Sequence, residues 1–495
     1  MSRIIIQNGN MCELDLPLKF AQKLYAEFAI RHPNAFYLRT RQRGMQNWDG
    51  KIHYITKTGQ FKIGLLPKVY DMCIEMGIKP KVVDMRQPLP KVNGVVTKIG
   101  EYKLRPEQEK AVKAVINNKV GKVPFQIGVL DYTVNAGKTL IMSSLYLTYK
   151  KQLKTLLITN DSDWLNQARE EFKQYLPGED ITFVQGKVLN WSNFTIGMVQ
   201  SISRNMRFYQ KELSQIDMVL VDEADQGGSK QYQNVITRLF NTRIRIGLSG
   251  TIYMSKLAKD KVKNMNLECF FGKVIAEFKL KDSIKKGYST KTVVKMVPGK
   301  PWYGNWESDC ISYKEIYDDS ITNCYTAWLM AYNRLLWNLN QGRYPALVVC
   351  KHIAHCENLY KFFKKKLGDA YNIAYVHVNT SSKLRQQIMK DFREGKIDIL
   401  VSTTIIARGK NFPKLRYLLN AASMDSQEKS IQFLGRLVRT DKSKKKVYLD
   451  DLHYPGNYLD RHGKHRKQYY QRQELKVILL DKLWKKHPNH SLIKS

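Results

Sequence analysis

The chain has 495 residues, 43% of them hydrophobic, which is too long for one ordinary core and suits roughly two to four globular domains. Its 82 Lys and Arg against 44 Asp and Glu give a formal net charge of +38, spread along the chain, so a polyanionic partner is expected; nucleic acid fits better than a membrane, since no long basic amphipathic helix or lipidation signal is evident. Seven cysteines without paired spacing exclude a disulfide framework and suit reduced thiols in the cytoplasm, and no run approaches the roughly eighteen apolar residues of a membrane span.

Residues 1–95 read as a small α/β unit. Ile4-Ile5-Ile6, followed at once by Gln7, Asn8 and Asn10, predicts a strand and not a signal peptide. Pro17 suits a first helical turn, and Phe20, Leu24 and Phe28 follow at helical spacing. Arg39, Arg41, Arg43, Trp48, Lys51 and Lys57 interleave cations with an aromatic around Asp49-Gly50, a turn signal between strand-like segments. Such a ribbon could grip a phosphate backbone and stack on a base, with Arg41 and Trp48 as contacts, or it could be a solvated hairpin whose Trp48 packs on its own domain.

Pro80, Pro88 and Pro90 mark a linker into a second domain, 96–285, where apolar segments at Thr155 to Thr159, Thr195 to Val199, Met218 to Val221 and Ile244 to Leu248 alternate with helix-length stretches. A second series, Ala346 to Val349, Ile373 to Val378, Ile397 to Val401, Tyr417 to Asn420 and Val447 to Leu449, defines a third domain, 286–455. That alternation predicts two parallel sheets with crossover helices in an α/β fold. The aromatic stretch Tyr325, Trp328, Tyr332 and Trp337 reads mainly as packing. Cys350, His352, His355 and Cys356 raise a metal site, but without C-x-x-C pairs packing is the better reading. Residues 456–495 read as a basic helical tail; Lys442 to Lys446, Arg461, Lys464, Arg466 and Lys467 either add grip on a polyanion or are simply solvated.

Three patterns carry chemistry. Ile127 to Leu130, then a loop, then Ala136-Gly137-Lys138-Thr139 and an apolar helix has the strand, loop, helix order of a phosphate cradle. Lys138 would reach the β- and γ-phosphates and Thr139 would ligate Mg²⁺, although Tyr132 and Asn135 stand where many such loops have glycine. Val219-Leu220-Val221 ends in Asp222-Glu223, which can present one carboxylate to a metal shell and the other to an attacking water. In Gln432-x-x-Gly435-Arg436-x-x-Arg439 two arginines three apart on a predicted helix share a face, and from a second domain they could neutralise transition-state charge on a γ-phosphate.

Taken in order, these elements resemble the superfamily 2 helicases and translocases over about residues 100 to 450. Leu104-Arg105-Pro106-Glu107-Gln108 resembles the adenine-reading Q element, which would put Gln108 on the base edge. Gly137-Lys138-Thr139 stands as motif I with Asn135 and Ala136 beside it, Thr159 to Gln167 as motif Ia, Thr195 to Ser201 as motif Ic, Asp222 to Asp225 as motif II and Leu248-Ser249-Gly250-Thr251 as motif III. Val348 to His352, Val401 to Pro413 and Gln432 to Arg439 resemble motifs IV, V and VI; in motif V Gly409 and Asn411 would reach the nucleotide, Asn411 replacing a more usual Asp. Arg31 to Ala35, Asn47 to Ile52 and Gly64-Leu65-Leu66 are similar to the amino-terminal domain of the phage UvsW-type DNA helicases.

The resemblance implies two RecA-like parallel-sheet motor domains in tandem plus the small N-terminal α/β domain, using ATP and Mg²⁺. It implies catalytic roles for Lys138, Glu223, Gln432, Arg436 and Arg439, Mg²⁺ ligation by Thr139 and Asp222, and strand contacts by Gln200, Ser201, Lys351 and Thr403. The implied substrate is branched, forked or R-loop DNA, including RNA–DNA hybrid, with recombination or replication proteins as partners, in the host cytoplasm if the gene is a phage's. An RNA helicase of the same mechanism, or a nucleic-acid-binding protein that has lost hydrolysis, are the alternatives.

Overall fold

The computed structural model describes residues 2–41, 44–149, 152–186, 190–252, 260–299, 312–407 and 412–480. The chain divides into two compact units, Met1–Phe278 and Lys279–Ser495.

The first unit opens with β1 (Arg3–Ile6), β2 (Met11–Asp15), α1 (Leu18–Glu27), β3 (Ala29–Arg31), α2 (Ala35–Arg41), β4 (Lys51–His53), β5 (Gln60–Lys62), α3 (Leu66–Glu75) and β6 (Lys81–Asp84). Four of these strands form a sheet in the order β5-β2-β1-β6, while β3 and β4 pair separately. There follow β7 (Lys98–Ile99), β8 (Tyr102–Lys103), α4 (Pro106–Ile116), β9 (Lys119–Val120), β10 (Val123–Pro124), β11 (Ile127–Tyr132), α5 (Lys138–Thr148), β12 (Thr155–Thr159), α6 (Ser162–Tyr175), β13 (Ile181–Val184) and β14 (Phe194–Met198). The unit ends with α7 (Val199–Arg204), α8 (Gln210–Ser214), β15 (Met218–Asp222), α9 (Lys230–Ile236), β16 (Ile244–Ser249), α10 (Lys261–Phe271) and β17 (Val274–Phe278).

Seven of its strands make a sheet in the order β13-β14-β12-β15-β16-β11-β17, parallel at every pairing. Burial on both faces explains why its central strands are unbroken apolar runs, such as Leu156 to Ile158 and Val219 to Val221, all inaccessible to solvent. One hydrophobic core joins this sheet to the N-terminal one, running from Ile4, Ile6 and Phe61 to Val219 and Phe271. Arg245 of β16, fully buried, fastens the two sheets by donating to Phe270 O (3.1 Å), Gly9 O (2.6 Å) and Asn10 Oδ1 (2.8 Å). Burial pushes its guanidinium down to about 9. The proline-marked linker is tied down as well: Val96 O accepts from Ser144 Oγ of α5 at 2.7 Å.

The second unit runs α11 (Leu280–Lys285), β18 (Lys291–Pro298), α12 (Tyr313–Tyr317), α13 (Tyr325–Asn340), β19 (Ala346–Cys350), α14 (Ile353–Leu367), β20 (Ile373–Val376) and α15 (Ser382–Glu394). It continues with β21 (Ile399–Thr403), β22 (Tyr417–Asn420), α16 (Gln427–Leu437), β23 (Lys446–His453), α17 (Asn457–Arg472) and β24 (Val477–Leu479). Its seven strands again pair only in parallel, in the order β20-β21-β19-β22-β23-β18-β24. The architecture is the α/β fold expected, two parallel sheets and a small N-terminal α/β region.

Two buried ion pairs stiffen this second sheet. Arg334 of α13 holds Asp450 (Nε to Oδ2 2.9 Å), and Arg466 of α17 holds Asp451 (Nη2 to Oδ1 2.8 Å) and also donates to Met424 O and Leu452 O. Arg466 therefore does not belong to an exposed basic tail. A carboxylate buried on β23 needs a fixed counter-charge, and α17 supplies it from the core.

Candidate nucleotide site and nucleic-acid contacts

In the first sheet β16 lies between β11 and β15, with Asp131 opposite Ser249 and Asp222 opposite Leu248. The C-terminal ends of three adjacent strands thus bring the phosphate loop, the Asp-Glu pair and Ser249-Gly250-Thr251 together, where open parallel sheets bind ligands. Gly137 caps α5 at φ 71°, ψ 48°, and Asn135 also takes a positive φ of 65°. Asparagine tolerates that left-handed conformation better than most residues, so the loop turns without its customary glycine. Tyr132 is equally accommodated: its ring is buried and its hydroxyl donates to Glu107 O at 2.8 Å, away from the loop.

Gln108 is fully buried and engaged at both ends. Its Nε2 donates to Ala136 O (2.9 Å), and its Oε1 accepts from the Arg105 backbone N–H (2.9 Å). Arg105 in turn donates to Asn135 O at 3.1 Å. In this geometry Gln108 and Arg105 fix the loop backbone. Arg105 was not singled out from the sequence, although its place three residues before Gln at the head of α4 is a capping-box signal.

Asp222 is 4% exposed, and its Oδ1 has no hydrogen-bond partner. Burial raises its carboxyl above the ordinary range, while the charge of Lys138 pulls the other way, so loop lysine and strand-end acid sense each other. A buried carboxylate oxygen without a donor suits a cation, and this fits Asp222 and the hydroxyl of Thr139 to the Mg²⁺ that accompanies a nucleotide. Glu223, the next residue, sits at φ 51°, ψ 49°, a strained setting for a non-glycine residue and one that recurs at functional sites. Asp225 accepts from Ser249 Oγ at 2.8 Å, and the Thr251 backbone N–H donates to the same hydroxyl at 3.1 Å, so motifs II and III are bonded.

Two of the proposed strand contacts lie at the same sheet edge. Gln200 and Ser201 open α7 just past β14; Gln200 donates to Asn160 O at 3.3 Å, and Ser201 Oγ accepts from the Gly186 N–H at 2.9 Å.

The N-terminal ribbon needs correction. Arg39 and Arg41 lie on α2 and not on a strand, because the turn signal at Asp49-Gly50 leads into β4, whose partner is β3 before the helix. Arg43 lies outside the described residues. Trp48 is half-buried: its Nε1 donates to Lys51 O at 2.9 Å and its ring meets His32 edge-on at 5.7 Å. The exposed aromatics are instead Phe36 (79%) and Tyr37 (55%) on α2, with the Arg41 guanidinium 5.0 Å over the Tyr37 ring. Helical phase hides them from a reading of the segment as extended.

In the second unit Lys351 follows β19, its Nζ 3.8 Å over the Tyr313 ring, and burial lowers its ammonium below the ordinary range. Thr403 ends β21. Gly409 and Asn411 lie outside the described residues. Gln432 and Arg436 stand on α16, four apart on one face, but Arg439 follows the helix, which ends at Leu437. Thr290 draws the chain off there, donating from N to Val438 O (2.8 Å) and from Oγ1 to Arg439 O (3.1 Å). Among the described residues no group of His, Cys, Asp or Glu has metal-binding geometry. His355 is buried with Nδ1 2.9 Å from the Tyr317 hydroxyl, and burial pushes its imidazole down to about 3.

Two protein families match the chain: the type III restriction enzyme res subunit over residues 101–254, and the helicase conserved C-terminal domain over residues 329–441. The ATP-dependent DNA helicase uvsW of Enterobacteria phage T4 is 21% identical over 88% of this chain and 90% of its own length. The chain resembles the UvsW-type superfamily 2 helicases. A protein named as a helicase in Sulfolobus islandicus filamentous virus (isolate Iceland/Hveragerdi) is 22% identical over 71% of the chain, a match that spans 64% of that relative. Among solved structures, Saccharomyces cerevisiae Dbp5 bound to RNA and ADP BeF3 has TM-score 0.53 at 14% identity, covering 77% of this chain and 92% of that one, a likeness of the RecA-like fold. The family matches and the helicase-named relatives support an ATP-dependent nucleic-acid helicase. No helix among the described residues is long and apolar enough to cross a membrane.

Proposed function

We propose that the protein is an ATP- and Mg²⁺-dependent DNA helicase or translocase that acts on branched DNA or R-loops in recombination, replication and repair. The observation that carries the reading is the buried, partnerless Oδ1 of Asp222, at a strand end within electrostatic reach of Lys138 on the phosphate loop. Asn135, Ala136, Gly137 and Lys138 hold the phosphates by backbone N–H groups and one ammonium. Mg²⁺, held by Asp222 and Thr139, would spread the charge of the β- and γ-phosphate oxygens. Glu223 takes or relays the proton of the attacking water as the bond between the γ-phosphorus and the bridging oxygen breaks and ADP leaves. Arg436 and Arg439, with Gln432 beside them, are assigned to the charge of the transition state.

Gln200, Ser201, Lys351 and Thr403 hold one strand by its phosphates, so affinity falls with salt and varies little with sequence. The exposed Phe36, Tyr37, Arg39 and Arg41 of α2 support contact with unpaired bases and backbone by the N-terminal region. Recombination or replication proteins are the partners expected.

Hydrolysis measured with no nucleic acid, single-stranded DNA, fork, four-way junction, R-loop, RNA and plain duplex tests the reading. The greatest stimulation is expected from fork, junction or R-loop. Stimulation by RNA alone would make it an RNA helicase, and no stimulated hydrolysis at all would leave a binding protein.

A further inference from the structure

The second sheet carries an unusual concentration of charge at its strand-start edge, opposite the strand ends where Lys351 and Thr403 stand. Lys291 begins β18 and Lys446 begins β23, neighbours in register, while Arg343 precedes β19. These residues sit at strand starts, whereas Lys351 and Thr403 stand at strand ends. Trp337 of α13, 42% exposed, lies over the same face. Around its ring centroid stand Lys295 Nζ at 4.7 Å, Arg334 Cζ at 5.0 Å and Arg343 Cζ at 4.7 Å. Arg343 also stacks 3.5 Å above Tyr448, with Lys446 Nζ 5.6 Å from that ring.

The array is held in place. Arg343 Nη1 donates to Asn338 Oδ1 at 2.9 Å, and Arg334 is fixed on Asp450. The carboxylate amid Lys295, Arg334, Arg343 and Lys446 is Asp450, whose Oδ2 already accepts from Arg334, Asn338 and Tyr417. Burial lowers the Lys295 ammonium, Asp450 opposes that, and Arg334, Arg343 and Lys446 lower it further, so the cations repel one another. A polyanion relieves such repulsion, and fixed guanidinium planes beside an exposed indole suit sugar-phosphate backbone and base faces better than a flexible acidic peptide. Lys446, which the sequence left between grip and solvation, belongs to this array.

We propose that this face is a second nucleic-acid-binding surface, gripping the phosphate backbone of a duplex arm apart from the strand held at Lys351 and Thr403. The inference rests on the reading of the substrate as branched nucleic acid, and it gives that substrate's second arm a place to bind.

The test uses the full chain and two reverse-charge pairs. Lys291→Glu/Lys446→Glu alters exposed strand starts; Lys365→Glu/Lys366→Glu on α14 makes the same charge change at exposed positions elsewhere. Binding of a four-way junction and of single-stranded DNA is titrated from 50 to 200 mM salt. The first pair is expected to weaken junction binding about tenfold or more and flatten its salt slope by about two, with single-strand-stimulated hydrolysis unchanged. Trp337→Ala is expected to weaken junction binding as well, and Trp337→Phe to restore it. Parental junction affinity in both Lys291→Glu/Lys446→Glu and Trp337→Ala would overturn the proposal and leave an acidic protein as the occupant. An equal loss in the α14 pair, or on single strands, would also overturn it by making the effect bulk charge. A parent without nucleic-acid-stimulated hydrolysis would instead remove the helicase reading.

Discussion

The two seven-stranded sheets share one strand order and carry opposite charge on the elements around it. In the first, Asp131, Asp222, Glu223 and Asp225 stand at the ends of β11 and β15, and Lys138 from the phosphate loop acts on Asp222. In the second, Lys351 follows β19, Arg436 stands in the last turn of α16 with Arg439 just beyond it, and the acids Asp450 and Asp451 are withdrawn into the core on buried arginines. Parallel sheets supply the same scaffold to both, so the difference resides in which side chains stand at the edge. An acidic edge with one lysine can hold a metal-bound phosphate chain. A cationic edge can only meet charge that is already negative.

The largest expected effect breaks the cationic side. Arg436→Ala and Arg439→Ala should each lower nucleic-acid-stimulated hydrolysis by roughly 10³-fold, with nucleotide affinity near that of the parent, as single-turnover kinetics beside nucleotide titration would reveal. Gly137→Ala attacks the acidic side through geometry: φ of 71° is strained for alanine, and the new Cβ would run into Gln108 Nε2, so nucleotide affinity should drop about tenfold or more. Equal affinity would mean that the loop is not held by Gln108.

Smaller effects probe the cores behind the two edges. Arg245→Met leaves Gly9 O and Phe270 O without their buried donor, and should cost the first unit about 3 kcal/mol in urea unfolding. His355 offers a pH test in the second unit. Its folded value of about 3 lies below the ordinary 6.5, so on acidification the unfolded chain takes up a proton that the folded one refuses. Stability contributed by the neutral ring is intact above pH 6.5 and should fall toward pH 3 by up to about 1.4 kcal/mol per pH unit, less so in His355→Gln.

Much of the scaffold is legible because a strand buried on both faces must be an unbroken apolar run, and the run Val219 to Val221 ends where acids begin. Local signals also placed the phosphate loop, since Gly137-Lys138-Thr139 needs only a strand before it and a helix after it. What stayed hidden depends on partners distant in sequence. Arg466 looked like one more surface cation until Asp451 and two carbonyls appeared around it, and the array at Trp337 gathers residues from 295 to 448. The α2 segment is hidden for a different reason: cations and aromatics fit an exposed helix as well as a ribbon, and the Asp49-Gly50 turn favours the ribbon. Gln108, expected at a base edge, makes contacts to the loop backbone that no motif encodes.

The contrast between the two edges stands or falls on Glu223. Nucleotide binding and single-turnover ATP hydrolysis, measured with and without forked DNA in the parent and in Glu223→Gln, address it directly. Nucleotide affinity within a few-fold of the parent with hydrolysis down by about 10²-fold or more is the expected result. Hydrolysis by Glu223→Gln at the parental rate, stimulated by the fork as before, would contradict the account.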